Sequence, residues 1–193
     1  MSTTKTEIVS SDQEALILVN ALDEATGQLD KSACHDGVGV LHRAFSLFIF
    51  NDQGELLLQR RAANKRLWPD FWSNSCCSHP RVGESMALAV ERRQQQELGL
   101  SAQLTYLYKF QYQAAYLDIG SEHELCSVYI GQTNDEPTIN TTEISAWRWV
   151  PPNELNQLLA ADADKFTPWF KLEWETLQHE HLPVLQKYCQ LAS

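Results

Sequence analysis

Nothing in the chain approaches the roughly 18 consecutive apolar residues of a membrane span, and the polar start MSTTKTEIVSSDQ lacks the apolar centre of a secretory signal. A cytoplasmic protein that binds no membrane is expected. Positive charge is also scarce: 15 Lys and Arg stand against 25 Asp and Glu, for a formal net charge of −10. Such a surface repels phosphate backbones, which excludes a general nucleic-acid partner, and an anionic small molecule would need a local basic pocket. The five cysteines (Cys34, Cys76, Cys77, Cys126 and Cys189) contain no Cys-x-x-Cys pair, so a zinc ribbon is excluded. Their odd number reads as reduced thiols in a cytosol. Internal repeats and low-complexity segments are absent as well.

What is present fits one globular unit. At 193 residues, 44% hydrophobic and 21% charged, the chain is long enough for a full core and is neither disordered nor membrane-like in composition. Residues 1–14 read as a flexible tail and 15–193 as a single domain, expected as a monomer. ALILVN at 15–20 reads as a strand and Thr26-Gly27 as a turn. His42–Phe50 and Glu55–Arg60, either side of Asn51-Asp52-Gln53-Gly54, read as a hairpin. From Glu84 to Leu98 the pattern is helical, with Met86, Ala87, Val90 and Leu98 near one face and Gly99 at the cap. Strands follow at 104–112, 122–130 and 144–150, and Pro151-Pro152-Asn153 and Thr167-Pro168 each open a helix. Strands on both sides of a central helix predict an α/β fold, a mixed sheet flanked by helices.

Glu122 and Glu124 stand two apart in an expected strand, so both carboxylates share a face, about 7 Å apart at Cα, while His123 points the other way. Taken alone, the pair more often describes a solvated acidic edge. His35, His42 and His79 are candidate partners, and three imidazoles with two carboxylates suit Mn²⁺ or Zn²⁺, whereas Mg²⁺ prefers oxygen ligands. Cys77 lies two residues before His79, so in an extended segment both face one site, where a cation would favour the thiolate; the alternative is a buried, inert cysteine. Lys31, Arg61, Lys65 and Arg93 either contact phosphate or serve solubility. Arg93 and Glu97, four apart, also read as a surface ion pair.

Taken in order, Lys31 with Cys34-His35, LHRAFSLFIF, LLLQRR, WPDFWSNSCCSHP, GES, RRQQQELGL, the Glu-His-Glu strand and Thr167-Pro168-Trp169 resemble the type I isopentenyl-diphosphate isomerases of the Nudix superfamily. The resemblance runs from about Ile17 to Trp169. Aligned on Gly99, the Nudix box spans Ser78 to Leu100, where Glu84, Arg92, Glu97 and Gly99 fit. Ser78 replaces its first Gly, Arg93 a Glu, Gln94 an apolar residue and Gln96 one of two adjacent carboxylates, so two metal ligands of a hydrolase are missing. The resemblance implies a Nudix-like α/β/α sandwich with the box kept for binding and cleavage lost.

It further implies a metal-dependent allylic proton shift that interconverts isopentenyl and dimethylallyl diphosphate for isoprenoid synthesis. His35, His42, His79, Glu122 and Glu124 would hold Mn²⁺ or Zn²⁺, and Glu97 with the Cys77 main-chain carbonyl would help hold Mg²⁺ on the diphosphate. Lys31, Arg61, Lys65 and Arg93 would clamp its oxygens. Cys77 and Glu124 become the proton-transfer pair, Tyr112 an aid to protonation, and Trp169 an aromatic wall for the carbocation. The family often has Asn where this chain has His123. Two rivals remain: a Nudix-type pyrophosphohydrolase, which Arg93 and Gln96 oppose, and a diphosphate- or metal-binding module without turnover.

Overall fold

The computed structural model describes residues 4–191, so the first three residues of the expected tail and the last two of the expected domain lie outside the described residues. Strand β1 (Ala15–Val19) pairs antiparallel with β2 (Ala25–Asp30). The turn between them falls earlier than Thr26-Gly27, which lie inside β2. The Asn20 side chain accepts the amides of Leu22 and Glu24 at 3.0 Å each, and Asp23 takes φ 62°, so the reversal is made at Asn20–Glu24.

Strand β3 (His42–Phe50) forms the middle of the sheet and is buried at every position except Arg43. Its unbroken apolar run fits a strand covered on both faces. It runs parallel to β8 (Gly120–Gln132) from His42↔Glu124 to Phe50↔Gln132. The expected hairpin with β4 (Leu56–Arg61) is only a corner, because β3 and β4 meet at the single pair Phe50↔Leu56.

Another segment occupies the edge that β4 would have taken. Strand β5 (Trp72–Ser73) pairs with β4, and β6 (Cys76–Ser78) pairs with β3 through Phe45↔Ser78, Ser46↔Cys77 and Leu47↔Cys76. Between them Ser75 bonds both neighbours: its amide reaches Leu47 O (3.0 Å) and its hydroxyl Leu57 O (2.8 Å). Strand β4 pairs instead with β9 (Ile144–Val150), and β7 (Gln103–Tyr116) pairs with β8.

Helices cover both faces. Helix α2 (Met86–Arg93), N-capped by the Ser85 side chain, continues through a wide turn at Gln94–Leu98 and stops at Gly99, which has φ 66°. A Cβ at Gly99 would lie 2.8 Å from Thr138 O. Ala89, Val90 and Leu98 pack against Phe45, Leu47, Ile49 and Leu57, while Ala87 is exposed rather than on the packed face. The opposite face carries Phe48, Phe50, Leu56 and Leu58 beneath α3 (Pro152–Ala161), α4 (Pro168–His179) and the short α5 (Leu182–Leu185), with Phe170, Trp174 and Leu177 of α4 in the core. The result is an α/β/α arrangement around a mixed sheet.

Residues 4–14, expected as a loose tail, lie against the body. The Lys5 amide bonds Ile139 O at 3.0 Å, Asn140 Nδ2 bonds Glu7 O at 2.7 Å, and Val9 is buried. Peptide groups here find partners in the 138–142 loop, which a scan for apolar periodicity does not register. Among the described residues no helix is long and apolar enough to cross a membrane.

Candidate active site

Strand pairing gathers the acidic pair and its partners. Alternation along β8 points Glu122 and Glu124 into one buried site, and Glu124 lies beside His42 across β3 and beside Tyr112 across β7. His123 faces away, toward Gln111 and the Gly39 carbonyl. His79 follows β6, and His35 follows the short helix α1 (Lys31–Cys34). A ligand atom from each of His35, His42, His79, Glu122 and Glu124 lies within 4.8 Å of all the others.

The donor set suits a divalent cation. His35 Nδ1 lies 2.6 Å from Lys31 O and His42 Nδ1 lies 2.7 Å from Val40 O; a carbonyl only accepts, so both Nδ1 atoms donate and each ring turns its Nε2 inward, the atom that would ligate a cation. His42 Nε2 and His79 Nε2 are 3.1 Å apart, and His79 Nε2 is 2.9 Å from Glu124 Oε1. Glu122 Oε2 approaches His35 Nε2 to 2.7 Å yet makes no hydrogen bond. Converging lone pairs and an orphaned carboxylate oxygen are what a cation would satisfy. Burial, with His42 beside it, pushes His79 down to about 4 despite Glu124. Burial works against ionised Glu124, but the His42 and His79 imidazoles beside it hold it well below the usual carboxylate range. These two are therefore in the deprotonated forms that ligate metal. Burial would also lower His35, yet the Glu122 carboxylate raises it overall.

A cavity of about 430 Å³ adjoins this cluster. Cys77 Sγ faces it, accepts the Trp169 Nε1 proton at 3.1 Å and lies 2.8 Å from Asn74 Oδ1, to which its own proton points. Burial pushes the Cys77 thiol up to about 12. Tyr112 donates to Glu124 Oε2 at 2.6 Å. Trp169 is buried, with Trp68 edge-on to its ring and the Arg61 guanidinium 5.3 Å above it.

The cavity is also lined by cations, in contrast to the surface. Lys31, Arg61, Lys65 and Arg93 all line it. Lys31 donates to Ser10 Oγ; burial and the charges of Lys65 and Arg93 push its ammonium down, as expected where cations crowd without enough counter-charge. Arg61 is braced by the carbonyls of Leu67 and Trp68. Arg93 bonds Glu97, Val9 O and Glu143, and Lys65 pairs with Glu143. The Arg93 and Glu97 pair expected on the surface is buried, 2% and 3% exposed. Glu84 clasps Arg92 through two 2.7 Å bonds, which ties the loop before α2 to the helix.

Sequence reasoning passed over Glu143 and Glu173. Glu143 carries no motif. Glu173 lies four residues beyond Trp169, on the buried face of α4, and that helical spacing was its available signal.

Residues 40–170 match the NUDIX domain family. The chain is 41% identical over 174 residues to Isopentenyl-diphosphate Delta-isomerase 1 of Photorhabdus laumondii, covering 89% of this chain and 99% of that protein. It is 45% identical over 157 residues to the Isopentenyl-diphosphate Delta-isomerase of Serratia proteamaculans, covering 81% and 87%. Among solved structures, DR0079 of Deinococcus radiodurans is similar with a TM-score of 0.63 and 27% identity, over 77% of this chain and 90% of that one.

Proposed function

Because the chain belongs to the NUDIX domain family and, within it, to the isopentenyl-diphosphate isomerases, we propose that Glu124 and Cys77 exchange the two protons of that reaction across a single cavity. The enzyme is an isomerase that converts isopentenyl diphosphate to dimethylallyl diphosphate, moving a carbon–carbon double bond one position. The observation that carries the assignment of roles is the cavity itself: a sulfur, a phenol–carboxylate pair and four basic side chains all line it.

Lys31, Arg61, Lys65 and Arg93 bind the diphosphate oxygens and fix the allylic carbons in place. Glu124, oriented by the Tyr112 hydroxyl, delivers a proton to the terminal methylene. The product of that step is a tertiary carbocation, which water would capture, so Trp169 and the cavity walls exclude solvent and present an aromatic face to the charge. Cys77 sulfur then takes a proton from C2. One proton enters and one leaves, so the substrate's charge is unchanged.

His35, His42, His79, Glu122 and Glu124 would hold Mn²⁺ or Zn²⁺, and Glu97 with the Cys77 carbonyl would help hold Mg²⁺ on the diphosphate. When bound, the first ion supplies charge that orients Glu124, and Mg²⁺ neutralises phosphate oxygens. Free thiols at all five cysteines favour a reducing compartment, the cytoplasm, for a single-domain enzyme acting as a monomer. Hydrolysis of the diphosphate is disfavoured because Arg93 and Gln96 stand where the box of a hydrolase carries two metal-holding carboxylates.

Incubation with isopentenyl diphosphate in heavy water, with Mg²⁺ and Mn²⁺, tests the reading: mass spectrometry should detect deuterated dimethylallyl diphosphate. Phosphate release without the deuterated isomer would replace it with a hydrolase.

A further inference from the structure

Behind the Cys77 sulfur, on the face of the sheet covered by α4, lies a polar chain that the proton shift does not use. Ser46 stands directly across from Cys77 in the β3–β6 pairing, with its Oγ 3.7 Å from Sγ. Cys126 Sγ lies 3.4 Å from Ser46 Oγ and 3.6 Å from Glu173 Oε1. Glu173 is fully buried, and its Oε2 has no hydrogen-bond partner among the described residues.

The groups facing Glu173 offer it no positive charge. Ser46 comes from β3, Cys77 from β6 and Cys126 from β8, while the Tyr108 hydroxyl on β7 reaches only its main-chain oxygen and the Glu124 charge opposes ionisation. A carboxylate isolated in this way is strongly disfavoured, and burial pushes Glu173 up to about 8. The neutral carboxyl has a proton to donate.

We propose that Glu173 is a positioning residue for the sulfur of Cys77, its neutral carboxyl donating to the Cys126 sulfur, whose own proton then turns to Ser46, so that the Ser46 hydroxyl points its proton at Sγ. A serine hydroxyl carries one hydrogen and two lone pairs. It can commit that hydrogen to sulfur when another donor fills a lone pair, and the Cys126 thiol is placed to do so. Negative charge on sulfur in a dry cavity needs such donors, and Ser46 adds to the indole N–H of Trp169, with the Ser73 hydroxyl 3.8 Å from the sulfur. The inference rests on the reading of Cys77 as the group that exchanges a proton with C2.

The test compares Glu173→Met, Glu173→Gln and Ser46→Ala with wild type, each loaded with Mg²⁺ and Mn²⁺, by kcat, KM and thermal midpoint. Loss of a hydrogen bond to a charged group predicts that Glu173→Met lowers kcat about ten- to hundredfold with KM within about twofold and no fall in thermal midpoint. Glu173→Gln keeps an N–H donor and should recover most of that loss, and Ser46→Ala should lose rate as Glu173→Met does. A Glu173→Met enzyme with undiminished kcat overturns the proposal, as does Glu173→Gln falling equally far. A Glu173→Gln enzyme faster than wild type also overturns it, by marking Glu173 as an ionised neighbour that repels the sulfur. Should Glu173→Met fail to fold, Ser46→Ala decides: wild-type kcat there overturns the proposal. Cys77→Ala separates the two levels: if it is active, the role of Cys77 itself fails, whereas inactive Cys77→Ala beside active Glu173→Met removes only this inference.

Discussion

Replacing Glu173 by Gln should change how stability depends on pH, and the sign follows from burial. The folded protein holds the Glu173 proton up to about pH 8, against 4.5 for an ordinary glutamate. Between those values the native state binds one more proton than the unfolded chain, so stability must fall as pH rises. The contribution is complete below pH 4.5 and is lost by the time pH has passed 8. Each pH unit in that window removes about 1.4 kcal/mol, on the order of 4 to 5 kcal/mol in all. Glutamine does not titrate, so the variant lacks this slope while every other group contributes equally to both proteins. Urea unfolding of wild type and Glu173→Gln at pH 5, 6, 7 and 8, in one buffer and at one metal concentration, should show a stability difference that moves in favour of the variant with each step. Parallel pH profiles would mean that Glu173 is ionised in the fold, and the argument from its burial would be wrong.

Cys77→Ala should keep the fold and bound metal but lose turnover about a thousandfold or more, since a positioned acid or base contributes up to about four orders of magnitude; near-normal turnover would reject its role. Glu122→Gln should lower transition-metal content after dialysis, measured by elemental analysis, and unchanged content would count against the five-donor site. A Cβ at Gly120 would collide with the His35 carbonyl oxygen, which also accepts the Ser121 amide at 3.0 Å. Gly120→Ala should therefore displace His35 and weaken metal binding about tenfold or more, and a metal titration matching wild type would refute that link.

What the sequence revealed and what it hid divide by the range of the interactions involved. Period-two alternation was enough to put Glu122 and Glu124 together and His123 outside, and Gly99 marked its helix end through its need for positive φ. The turn at Asn20 was missed because a side chain makes it, whereas Thr26-Gly27 only carries turn-like composition. Cys77 lies in a three-residue strand whose edge is awarded by competition between β4 and β6, and such short strands leave no periodic trace. Arg93 and Glu97 looked like a surface pair because spacing says nothing about what lies above a helix; Val9 and Glu143 cover them. Glu173 looked like one more charged helical residue until Ser46 and Cys126 were seen beneath it.

The alignment of β3 with β8 has a consequence for assembly of the fold. Slipping β8 by one residue would turn both glutamates toward the opposite side of the sheet and bring His123 inward, leaving three histidines with no anionic partner. A divalent ion binding this five-member set would thus stabilise correctly threaded chains and discriminate against their nearest misfolded competitors, acting as a proofreader of strand order before any substrate arrives.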